Sequence, residues 1–177
     1  LSATVPINSA KAHIRQSSLA AGKAAAEAAI DDISAGVTQT DLASLHLCYG
    51  NILTALWLSM RVPEYFEKAV NAYRKATSIK ETDEPSIHWA LAHKHLSNLF
   101  YFRAEMEKDL AGYEESAASA LSALELFTKE EMPYEWAALQ YRLGLIHYKL
   151  GYEEGHTGNL RQALRCYQNA LKVYSKR

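Results

Sequence analysis

The fold class that the sequence predicts is all-α, a solenoid of antiparallel helix pairs with about seven helices. Three observations predict it. The chain overlays on itself without gaps at a period of 47 residues, the spacing from Trp89 to Trp136 and from Leu42 to Trp89. Small residues recur at fixed offsets inside each period, and apolar residues around them fall at i, i+3, i+4 and i+7, the pattern of a helix with one buried face.

Down the first helix of each unit, the matched columns include Ala43/Ala90/Ala137, Tyr49/Leu96/Leu143, Gly50/Ser97/Gly144 and Ile52/Leu99/Ile146. Down the second they include Phe66/Tyr113/Leu160, Ala69/Ser116/Ala163, Val70/Ala117/Leu164, Tyr73/Ala120/Tyr167 and Ala76/Ala123/Ala170. Two antiparallel helices cross closely only where neither carries a bulky side chain at the contact, so the small columns mark the crossings. In the third unit Leu160, Ala163, Leu164, Tyr167, Ala170 and Leu171 form the expected buried stripe.

Taken in order, the elements are punctuated by start and stop signals. An alanine-rich helix over 8–36 puts Leu19, Ala26 and Ala29 where the second helix of a preceding unit would stand, so residues 1–38 read as a cap. Thr40-Asp41 caps a helix over 40–60, and Val62-Pro63-Glu64 turns the chain into 64–80. Asp83 and Glu84 before Pro85 open 86–105, and a charged stretch from Glu105 to Gly112 leads into 110–128. Pro133 opens 134–150. The segment from Gly151 to Asn159 turns the chain, with Asn159 as N-cap, into 159–176. The repeats are then 39–85, 86–132 and 133–177, in one domain with the cap.

Leu143-Gly144 and His147-Tyr148, followed by Ala163, Tyr167 and Ala170, resemble the tetratricopeptide pattern of Leu-Gly-x-x-Tyr, then Ala, aromatic and Ala. The family's period is about 34, and the extra residues here lie in a longer loop inside each pair and between pairs. The Trp-Ala-x-x-Gln-x-x-Leu-Gly run at 136–144 is similar to a long-loop variant of that repeat. The resemblance covers 39–177: the third unit matches best, the second has Ser97 for the glycine, and the first is loosest. It implies a right-handed superhelix whose first helices line a concave groove that holds a protein partner.

Composition narrows the function classes. With 49% hydrophobic residues the chain can bury a core without metals or disulfides, and 19 basic against 20 acidic residues give no field for nucleic acid or an anionic membrane surface. No apolar run reaches the roughly 20 residues of a membrane span. Cys48 and Cys166 share no metal-type spacing and suit a reducing, cytoplasmic setting, with Cys48 expected as a packed thiol. The first residue, Leu1, suggests a processed chain or a piece of a longer protein.

Residues one step around from the Leu-Gly positions are expected to face the groove: Asn51 and Thr54 from the first unit, Lys94, Asn98 and Tyr101 from the second, and Tyr141, Leu145, Tyr148 and Lys149 from the third. The mixture of polar and aromatic types fits recognition of an extended peptide or helix, with a solvated face as the competing reading. Lys94 and Asn98 resemble half of the carboxylate clamp of some chaperone-binding tetratricopeptide domains. The other half is missing, because Arg142 and Ala138 stand where that clamp needs Asn and Lys. Lys94, Arg142 and Lys149 remain candidates for an acidic peptide. His93 and His95 point about 200° apart on a helix and make no ligand pair, so no metal or other cofactor is expected. No phosphate loop, nucleophile elbow or HExxH occurs, so the chain is not read as an enzyme. The expected function is a protein-interaction scaffold. The alternatives are an oligomerisation or docking module using an uncovered face of the C-terminal helix pair, around Leu171 and Tyr174, and an all-helical small-molecule sensor.

Overall fold

The computed structural model describes residues 4–31, 37–79 and 85–175, with side chains from residue 16 onward. Among the described residues there are seven helices and no strand: α1 (Thr4–Asp31), α2 (Gln39–Met60), α3 (Pro63–Ser78), α4 (Ile87–Glu107), α5 (Leu110–Ala123), α6 (Pro133–Glu153) and α7 (Thr157–Tyr174). They fall into two compact units, the first carrying α1–α3 and the second α4–α7.

In the first unit α1 packs on α2 and α2 on α3. The α2/α3 contacts climb one helix as they descend the other, as antiparallel neighbours must: Asn51 and Thr54 meet Tyr73, whereas Trp57 meets Phe66 edge-on at 5.2 Å. In the second unit α4/α5 and α6/α7 pair in the same sense, and α5 also lies against α6. Ala120, Ala123 and Phe127 close over Leu139, Leu143 and Cys166 to make the centre of that core.

The glycines at the repeated crossings are there for closeness. A Cβ on Gly50 would sit 2.5 Å from the Tyr73 ring, and one on Gly144 would sit 2.6 Å from the Tyr167 ring. The middle pair makes its close contact differently. Ser97 replaces glycine, Ala120 replaces tyrosine, and the buried Ser97 hydroxyl meets that of Ser116, which also donates to the Ser97 carbonyl at 2.7 Å.

Several helix ends depart from expectation. Thr38, not Thr40-Asp41, caps α2, accepting from the Asp41 amide at 3.1 Å. Ser86 caps α4, while Asp83 and Glu84 lie outside the described residues, as does the predicted stretch of the first helix beyond Asp31. Asp109 caps α5 through both carboxylate oxygens, so Glu105 stays helical. Gly151 does not end α6: it is buried where a Cβ would press on Leu160, and Gly155, at φ 65°, makes the turn. Asn159 therefore lies inside α7 and reaches back to Glu154 instead of capping. Arg61 and Lys108 end α2 and α4 in left-handed conformations, stops that carry no glycine to mark them.

Three further expectations need correction. The stripe assigned to α7 is rotated: Ala163, Cys166, Ala170 and Val173 are buried, whereas Leu160, Leu164 and Leu171 face outward. Cys48 is exposed and not packed. α2, whose single charged residue is Asp41, is long and apolar enough by composition to cross a membrane. Its uncharged polar residues interrupt the apolar run without lowering the average enough to exclude a span. In the first unit Ala43, Leu47, Leu53, Leu56 and Trp57 of this helix are buried.

Gly144→Ala is expected to lower the unfolding free energy by about 1–3 kcal/mol in urea titrations, because the added methyl overpacks the Tyr167 contact. Combined with Tyr167→Ala it should cost less than the sum of the single changes, since the pair then approaches the Ser97/Ala120 arrangement. Strict additivity would show that ring and glycine do not share a contact.

Candidate functional site on α4 and α6

Helices α4 and α6 lie side by side and parallel, and polar side chains link them at three levels. Lys94 pairs with Glu135, the Arg142 Nε donates to the Asn98 side-chain oxygen at 3.0 Å, and the Lys149 ammonium pairs with Glu105 at 2.9 Å. Spacings of three and four residues on α4 keep Lys94, Asn98, Tyr101 and Glu105 on one face of the helix, and the partners on α6 recur with the same periodicity. The structure thus brings together Lys94, Asn98, Tyr101, Arg142 and Lys149 from the expected set. Asn98, Tyr101 and Arg142 contact one another, whereas Lys94 and Lys149 are held by the carboxylates of Glu135 and Glu105.

Arg142 is the centre of this seam. Its guanidinium lies 4.2 Å from the centroid of the Tyr101 ring and 5.3 Å from that of Phe102, and burial pulls its pKa below the usual arginine value. Tyr101 is not the exposed anchor expected: it is 7% exposed, packs at 5.7 Å on Tyr113, and burial and the neighbouring Glu105 push its hydroxyl up to about 12. Burial pushes the Glu105 carboxyl up, but hydrogen bonds from Tyr113 and Lys149 outweigh it and hold the group below the usual carboxylate range. The three cations are therefore already engaged, and an incoming carboxylate would have to displace Glu135 or Glu105 from a lysine, or Asn98 from Arg142.

What remains open is aromatic. Tyr141 and Tyr148 are 49% and 46% exposed, and Tyr134 and Tyr152 are exposed with them. At 100° per residue these four side chains fall within about 40° of arc on α6, with the partly buried Leu145 at their edge. Tyr148 stacks on Tyr152 at 6.2 Å, and Tyr141 tilts against Tyr167 of α7 at 5.7 Å. Sequence reasoning found Tyr141 and Tyr148 but missed Tyr134 and Tyr152. The seven-residue step from Tyr134 to Tyr141 to Tyr148 was the signal that could have found the first.

In the first unit, Asn51 is exposed on α2 and its side-chain oxygen accepts from the Tyr73 hydroxyl at 2.9 Å; Thr54 meets the same hydroxyl at 3.0 Å. These residues hold the Tyr73 ring over Gly50. A cleft of about 400 Å³ opens in this unit among Glu27, Asp31, His46, Tyr49, Lys68 and Lys75. Glu27 is occupied there by Lys23 and the Tyr49 hydroxyl, which hold its carboxyl below the ordinary range.

Three of the described histidines, His46, His93 and His147, lie among packed side chains. His93 lies 4.4 Å from Trp89, and the Nδ1 atoms of His46, His93 and His147 are buried with no hydrogen-bond partner. Among the described residues, no three His, Cys, Asp or Glu side chains gather in a way that could hold a metal.

Burial, ahead of the Lys94 charge, pushes His95 down to about 4, and burial also lowers His46, His93 and His147. Between about pH 6.5 and about pH 4 the unfolded chain binds protons that these side chains refuse in the folded protein, so stability should fall on acidification through that window. Urea midpoints measured across it should drop, and His95→Gln should flatten the slope. An unchanged slope would mean that water reaches the ring. No family model, no curated protein and no solved structure matches the chain.

Proposed function

We propose that the chain is a non-catalytic protein-interaction module, a right-handed solenoid of tetratricopeptide-like helix pairs, that holds a peptide or helix of a partner protein against α6. The observation that carries this reading is the exposed tyrosine stripe of Tyr134, Tyr141, Tyr148 and Tyr152. Tyr73 and Tyr113 pack inside their helix pairs, whereas these four present large ring surfaces to solvent. Tyrosine suits such a surface, because its ring buries much area for two torsions and its hydroxyl can bond a peptide backbone.

The seam beside the stripe supports the same reading in a different role. With Lys94, Arg142 and Lys149 tied to α4/α6 partners, the charges hold the two helices at a set separation and the tyrosines offer the contact. Recognition is then by ring surface and shape. An acidic tail gripped by lysines is disfavoured, since each lysine would first give up a protein carboxylate.

A peptide-display library panned against the protein should yield binders that depend on the stripe. Tyr141→Ala with Tyr148→Ala should weaken their capture by about tenfold or more, the loss typical of removing interface anchors, with helicity unchanged. Undiminished capture by the double variant would refute the assignment.

A further inference from the structure

α7 carries a second surface, separate from the tyrosine stripe in chemistry. Leu164 and Leu171 are 58% and 60% exposed, and Leu160 and Tyr174 are exposed beside them. On a helix these four lie within about 80° of arc, adjoining the buried row of Ala163, Ala170 and Val173. Arg161, Arg165 and Lys172, all exposed, border the other side, and α7 contains no acidic residue. The helix therefore has an apolar stripe with a basic edge.

The second unit itself shows what covers such a stripe. In the 47-residue register Leu160, Leu164, Leu171 and Tyr174 correspond to Tyr113, Ala117, Leu124 and Phe127 of α5 and the turn after it. Those residues are covered by another helix. Leu139, Leu143, Ile146 and Leu150 of α6, spaced i, i+4, i+7 and i+11, close over them. The charge differs between the two: α5 carries Glu114 and Glu115 where α7 carries Arg161 and Gln162, and Glu125 stands where α7 has Lys172.

We infer that α7 docks an amphipathic helix of a partner protein, one with apolar residues at i, i+4, i+7 and i+11 and carboxylates along the flank that meets Arg161, Arg165 and Lys172. Two copies of α7 meeting face to face and antiparallel would bring basic edges together, which disfavours that symmetric dimer through this surface. Apolar area supplies the attraction and the flanking ion pairs set orientation and partner choice.

The test uses two fluorescein-labelled helical peptides with leucines at those four spacings, one flanked by glutamates and one by lysines, titrated with the whole chain. The glutamate peptide should bind about tenfold or more tightly than the lysine peptide. Leu164→Ser with Leu171→Ser should weaken it about thirtyfold, and circular dichroism and Tm should hold because both side chains are exposed. Arg161→Glu with Arg165→Glu should reverse the preference between the peptides, and Tyr148→Ala should leave both affinities unchanged, separating this surface from the tyrosine stripe. Equal binding of the two peptides, or insensitivity to the leucine changes, overturns the inference. So does a concentration-dependent dimer in sedimentation that the leucine changes disperse, since the occupant would then be a second copy.

Discussion

Helix pairs in this protein depend on one steric condition, that the side chains at each crossing together stay small enough for two backbones to approach. Gly50 and Gly144 meet it by having no Cβ, which makes room for the flat rings of Tyr73 and Tyr167. Ser97 cannot admit a ring, and its opposite position is Ala120. What recurs is the close contact and not the residue at either position, as expected of interiors packed without room for an added methyl group. The polar network around Tyr73 follows from the same contact, because a phenol laid over a backbone needs hydroxyl partners at its far end, and Asn51 and Thr54 supply them.

Once the pairs are set, the second unit aligns α4 and α6 so that their charged residues answer one another. That alignment changes what the exposed surface can do. Lysines and an arginine that look like a site for an acidic ligand become the fasteners of a parallel helix seam, with Arg142 lying over Tyr101 and bonded to Asn98. The large surface left exposed beside it is the adjacent row of tyrosines. Its physical character is that of an aromatic ridge, in which affinity would come from buried ring area and not from charge.

The two apolar surfaces have opposite settings. The tyrosine row lies beside a seam in which both lysines are paired with carboxylates and Arg142 is bonded to Asn98, whereas the leucine stripe of α7 is edged by cations with no acidic residue on their own helix. A partner selected by one would gain little from the other.

The amino-acid sequence alone determined the helix content, the order of the seven helices and the positions of the close crossings. Each of these is written in local periodicity and in side-chain size, which survive without knowledge of neighbours. Pro63 and Pro133 likewise announce their helix starts, since proline's fixed φ and missing N–H suit a first turn. Tertiary structure alone decided the rest. The sequence cannot say that Gly151 is a packing glycine and not a stop, because that depends on Leu160 arriving beside it. Nor can it say that Leu164 and Leu171 face outward while Cys166 faces in, because a helix with apolar residues over a wide arc has several rotations that bury similar area, and its neighbours choose among them. That Lys94, Arg142 and Lys149 have partners within the protein is likewise tertiary, since it depends on where Glu135, Asn98 and Glu105 stand across the gap between two helices.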